Sequence, residues 1–160
     1  MKQRKKPSVQ TRTLYEKYEE KYRRLGETGG EVLLLLAFNL DREVPGKTVD
    51  GLCVFTADDY RVYTDGHLTE HFTVERGGRY RMVNGVGSVF AEYISPNGIP
   101  HLIFRADNRL LREIGAGMKF LDRVVEFGEN LTAGDAPVVP EEVCPKCNNP
   151  YPPGSSTCPH

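Results

Sequence analysis

The chain has 160 residues, 18.0 kDa, a net charge of -1 and a pI near 6.4. That length suits one ordinary domain with extensions, and the charge balance argues against a chain-wide surface for nucleic acid or anionic membrane. Hydrophobic content of 39% with 27% charged residues is ordinary for a soluble chain.

Residues 1–7 carry four basic side chains and end at Pro7. They read as a disordered basic arm, and no apolar stretch follows that would make them a secretion signal. Residues 8–26 read as a helix, with Ser8 or Thr11 as N-cap and Gly26 as the stop. Leu14, Tyr18, Tyr22 and Leu25 share one stripe at helical spacing, suited to docking on a protein surface with the hydroxyls at its rim.

Residues 30–128 hold the domain. Val32 to Leu40 is too uniformly apolar for a strand with one wet face, which predicts burial on both sides or a strand curled across two sheets. It is also far short of the ~18 apolar residues that mark a membrane span. Asp41 to Gly51 reads as a polar loop, followed by strands over 51–56 and 60–64. Asp65-Gly66 fits a type I′ hairpin turn. It leads into 67–74, where Leu68, Phe72 and Val74 alternate with polar residues and predict one core face and one wet face. Three more strands are expected over 79–83, 88–95 and 101–106.

Asp107 or Asn108 then caps a helix whose Leu111, Ile114, Met118, Leu121 and Val125 recur at steps of three and four. Gly115 and Gly117 inside it predict a kink or a close approach to the sheet. The fold class is therefore α+β: a seven-stranded antiparallel sandwich or barrel capped by a C-terminal helix, with an N-terminal helix added. Residues 129–143 lack periodicity and read as a linker.

Three of the four cysteines crowd the last seventeen positions. Cys144 and Cys147 form a C-x-x-C turn that can chelate one Zn²⁺, and after ten residues Cys158-Pro159-His160 begins a second such turn. A fourth cysteine would fall just after His160. Residues 144–160 are accordingly read as an incomplete zinc ribbon, with Cys144, Cys147, Cys158 and His160 as candidate ligands and the chain as a piece of a longer protein.

Elsewhere, Cys53 in an apolar strand reads as a core residue. His67, His71 and His101 stand near no evident nucleophile and read as surface or rim residues. The sequence offers no nucleophile–base pair and no complete metal site, so this segment is expected to be non-catalytic.

The element order from Val32 through Phe127 resembles the pleckstrin-homology superfold, and GLCVFTADDYRVYTDGHL resembles the strand-turn-strand of bacterial PH-like and GRAM-like domains. With the Pro/Glu-containing linker and CPKC…CPH, the chain resembles the cytosolic N-terminal extension of certain bacterial ABC exporters. The resemblance implies a regulatory interaction domain at the cytoplasmic face of a membrane. Its partners would be the remainder of its own transporter chain or another protein, with no nucleic acid. The membrane would be reached only through the parent protein, where ATP hydrolysis would also reside.

The alternative is a lipid- or headgroup-binding module. Headgroup-binding PH domains gather several cations in the first hairpin loop, whereas here Arg42 and Lys47 face Asp41, Glu43 and Asp50. Arg76, Arg79 and Arg81 form a second small basic group.

Overall fold

The computed structural model describes residues 12–26 and 31–139. The first helix, α1, spans Leu14–Arg24. Seven strands follow: β1 Val32–Leu40, β2 Thr48–Thr56, β3 Asp59–Thr64, β4 His67–Thr73, β5 Arg79–Asn84, β6 Ser88–Ile94 and β7 Pro100–Asp107. A 3-10 turn at Asn108–Leu110 then leads into α2, Leu111–Val125. The strands form one antiparallel sheet in the order β4-β3-β2-β1-β7-β6-β5. The fold is α+β, as the strand periodicities and turn residues predict.

β1 is buried on both faces. Leu34, Leu36 and Phe38 enter the main core, while Val32 and Leu35 pack beneath α1 with Tyr22, Leu52, Val54 and Tyr63. A uniformly apolar sequence is the consequence, because neither side of this strand meets water. β1 pairs along most of its length with β2 and reaches β7 only at Leu40–Arg105, so it joins two half-sheets. The halves fold over on each other: Phe55 meets Tyr80 edge-on at 5.7 Å, and Phe72 lies 5.7 Å from Tyr93.

α2 closes this sandwich with Ile114, Met118, Leu121 and Val125, all buried. Leu111 packs at its edge. Gly117 marks a close approach, since a Cβ there would stand 3.0 Å from Leu34 and Leu36. The helix is tied to the β5 edge by Asp122, whose Oδ1 accepts the Tyr80 N–H at 2.5 Å. Burial is the largest influence on this carboxyl and raises it above the ordinary range, against the Tyr80 N–H, which lowers it.

A raised carboxyl stabilises the fold fully below its unfolded value and loses that contribution as pH rises through the folded one. Asp122→Asn keeps an oxygen for Tyr80 without the charge. The variant is therefore expected to be more stable than the parent at neutral pH, the gap closing in acid. Urea unfolding across pH checks this, and a gap that does not change with pH refutes it.

Three local expectations are corrected. α1 is capped by Thr13, and the candidate caps Ser8 and Thr11 lie outside the described residues. Thr13 and Glu16 make a capping box, with Glu16 N donating to Thr13 Oγ1 at 3.1 Å and Thr13 N donating to Glu16 Oε1 at 3.0 Å. The polar loop after β1 is shorter than predicted, because β2 begins at Thr48. Leu68 is 51% exposed instead of facing the core. A register shift between Val62 and Tyr63 sets Leu68 opposite Tyr63, and Thr69 uses its hydroxyl to bond Val62 O at 3.1 Å.

The stretch read as a linker over 129–143 is a packed strap as far as residue 139. Ala136 is buried, Leu131 and Val139 pack against the core, and Leu14 N donates to Pro137 O at 2.9 Å. A strap pinned at isolated points leaves no period in the sequence. Residues 1–7 and 144–160 lie outside the described residues.

Candidate interaction surface

The antiparallel order brings the β1–β2 loop and the β3–β4 turn to one end of the first half-sheet, whereas the β6–β7 turn adjoins the β4–β5 connection, since Arg79 pairs with Ile94 and a Cβ on Gly77 would stand 3.8 Å from Pro96. Asp65-Gly66 makes the second of these, with φ of 52° and 82° as a type I′ turn requires. In the first, Asp41 accepts the N–H groups of Glu43 and Val44 at 2.9 and 2.6 Å. Those bonds, Val44 first, hold its carboxyl below the usual range and fix the loop.

Arg42 reaches inward. Its Nη1 lies 2.8 Å from Glu70 Oε2 on β4 and 3.2 Å from Leu102 O on β7, so it pins the first loop to the seam between the half-sheets. Glu70 also accepts the hydroxyl of fully buried Tyr60 at 3.3 Å, and burial followed by the Glu70 charge pushes that phenol well up. Beside them the Phe72 ring lies 4.5 Å from His101 and 5.3 Å from Tyr60.

Two cations here are committed to carboxylates: Arg42 to Glu70, and Lys21 of α1 to Asp50. Of the two cations nominated in the first loop, Lys47 alone is exposed and outside such a pair among the described residues. Exposed polar residues such as Glu43, Lys47, Asp65 and His67 stand on these connections together with apolar ones. Val44, Leu68 and Ile99 are each about half exposed, one on or beside each of the three connections.

On the outer face of β3 and β4, His71 Nε2 lies 2.6 Å from Asp59 Oδ2, while the Thr56 hydroxyl donates to the other oxygen. Burial, the largest influence, raises the Asp59 carboxyl. The Thr56 and His71 bonds, aided by Arg61, outweigh it and leave the group lowered. The hydroxyl bonds the carboxylate and not the imidazole, which is the wrong order for relaying a proton away from a nucleophile.

The three candidate histidines are separated: His71 on this outer face, His101 in the seam and His67 exposed at the turn. Cys53 is completely buried, and burial drives its thiol upward, away from the reactive thiolate. Arg81 pairs with Glu92 at 2.6 Å. The tyrosines of α1 face the protein: Tyr22 is buried, and the half-buried Tyr18 donates its hydroxyl to Glu113 of α2.

The candidate zinc ligands Cys144, Cys147, Cys158 and His160 lie outside the described residues. Among the described residues there is no group of three or more His, Cys, Asp or Glu placed to hold a metal, and no helix long and apolar enough to cross a membrane.

The exposed apolar triad escaped the sequence reading, which treated turns as polar by default. A signal was present in Val44-Pro45-Gly46 and Asn97-Gly98-Ile99, where an aliphatic residue sits in or beside a turn that polar residues could have filled. No family model, no curated protein and no solved structure matches this chain.

Proposed function

We propose that the chain is a non-catalytic interaction domain that acts by protein–protein contact. Its place would be the cytoplasmic side of a bacterial ABC-type exporter, with the remainder of the transporter as partner. The observation that carries the contact reading is the set Val44, Leu68 and Ile99, apolar side chains left about half exposed on or beside three connections, while Arg42 and Lys21 are committed to Glu70 and Asp50. Such a surface gains by being covered with another apolar surface. The assignment to an exporter rests on the element order and the C-terminal cysteine spacing. The commitment of Arg42 to Glu70 weighs against the headgroup alternative, which needs several free cations in that loop.

The test is the triple variant V44D/L68D/I99D in the full-length transporter. Each position is exposed, so thermal unfolding of the isolated chain is expected to change little. Association of the domain with the rest of the transporter, read by crosslinking, is expected to fall at least about tenfold. Unchanged crosslinking, or unaltered transport after deletion of residues 1–140, would overturn the reading. Flotation with anionic vesicles that weakens with salt would favour the headgroup alternative instead.

A further inference from the structure

A separate cleft of about 270 Å³ lies where the β2–β3 turn, the β4–β5 connection and the C-terminal end of α2 converge. Its apolar lining is Val74 and Val125, both buried, with Val124 half-buried beside them. Asp58, Glu75 and Arg76 also line it, all three exposed. The neighbouring Glu129 is held by Arg123 at 3.0 Å, whereas Asp58, Glu75 and Arg76 enter no ion pair among the described residues.

We propose that this cleft binds a free aliphatic α-amino acid as its zwitterion. The volume is just under the ~300 Å³ at which drug-sized sites begin, which restricts the occupant to a small molecule. A lining that carries both signs of charge beside an aliphatic floor is matched by a ligand with both charges on a short aliphatic body. The planar guanidinium of Arg76 suits a carboxylate, which it can hold through two parallel hydrogen bonds. Asp58 and Glu75 supply the counter-charge for an ammonium group. Gly128, at φ 69°, reverses the chain after α2 so that Glu129 and Asn130 complete the wall. The site does not involve Val44, Leu68 or Ile99 and stands apart from the contact reading.

Amide NMR of the whole 160-residue chain tests it, with L-valine, N-acetyl-L-valine and L-valinamide as probes. L-valine is expected to shift the amides of Arg76, Gly128 and Asn130 saturably, and each blocked form to bind at least about tenfold more weakly because one charge is lost. Arg76→Ala, at an exposed position, is expected to abolish the response while leaving the remaining spectrum in place. The proposal is overturned by no saturable shift with L-valine, by either blocked form binding as well as L-valine, or by an unchanged response in Arg76→Ala. Tighter binding of N-acetyl-L-valine would identify a polypeptide C-terminus as the occupant and overturn the free amino acid.

Discussion

Leu36→Ala is expected to lower stability by about 2–5 kcal/mol, because a fully buried side chain is removed from a site the neighbours cannot refill. Leu36 faces the interior between the half-sheets and lies under Gly117, where α2 comes closest to β1. Collapse into the space would require the helix to move, and its Asp122 contact to the β5 edge and the buried Ile114, Met118 and Leu121 hold it in place. For a chain of this size that cost corresponds to a fall in Tm of roughly 5–15 °C. Differential scanning fluorimetry gives the shift and urea titration the free energy. A loss below about 1 kcal/mol would contradict the packing described for this strand.

Gly51→Ala is expected to destabilise by about 1–3 kcal/mol, the usual range for overpacking. Gly51 pairs directly with Phe38 across the β1–β2 ladder, and a Cβ at this position would collide with the Phe38 ring. The ring cannot swing aside cheaply, since its other face stacks on Phe104 at 5.1 Å and it is 5% exposed. Gly51 has no left-handed φ, so the backbone itself would accept alanine and the unfolded-chain effect alone would stabilise by about 0.4–1 kcal/mol. The sign therefore decides the matter. Urea midpoints at or above the parent value refute the clash, and a second change, Phe38→Leu, is expected to recover part of the loss in the Gly51→Ala background.

Much of this architecture was legible because its signals are local. Asp65-Gly66 specifies its turn through backbone angles, Leu111 to Val125 specifies a helix face through spacing, and Val32 to Leu40 specifies a two-sided strand through the absence of polar positions. What escaped was decided by distant partners or by small irregularities. One register shift in the β3–β4 hairpin turned Leu68 outward, and no feature of 67–74 alone announces it. The strap over 129–139 is held by Leu14 and the core, far away in the sequence. Arg42 looked like a free loop cation until Glu70, 28 positions away, was seen to hold it. The contact surface was illegible for a related reason, since an exposed aliphatic residue looks the same in sequence as a buried one. The Thr13–Glu16 cap is the exception: its Thr-x-x-Glu pattern is local and stands in the sequence immediately before the stripe that begins at Leu14.

The bridge between Thr13 and Val138 also sets the mechanical response of the domain. Residues 12 and 139 lie side by side, so tension applied between them peels Leu14 from Pro137 and then lifts the strap and α1, one contact after another. The long β1–β2 ladder lies behind them and bears no shear at first. Under optical tweezers the early yield should be gradual and soft, with the brittle rupture of the sheet arriving only after α1 has been drawn away.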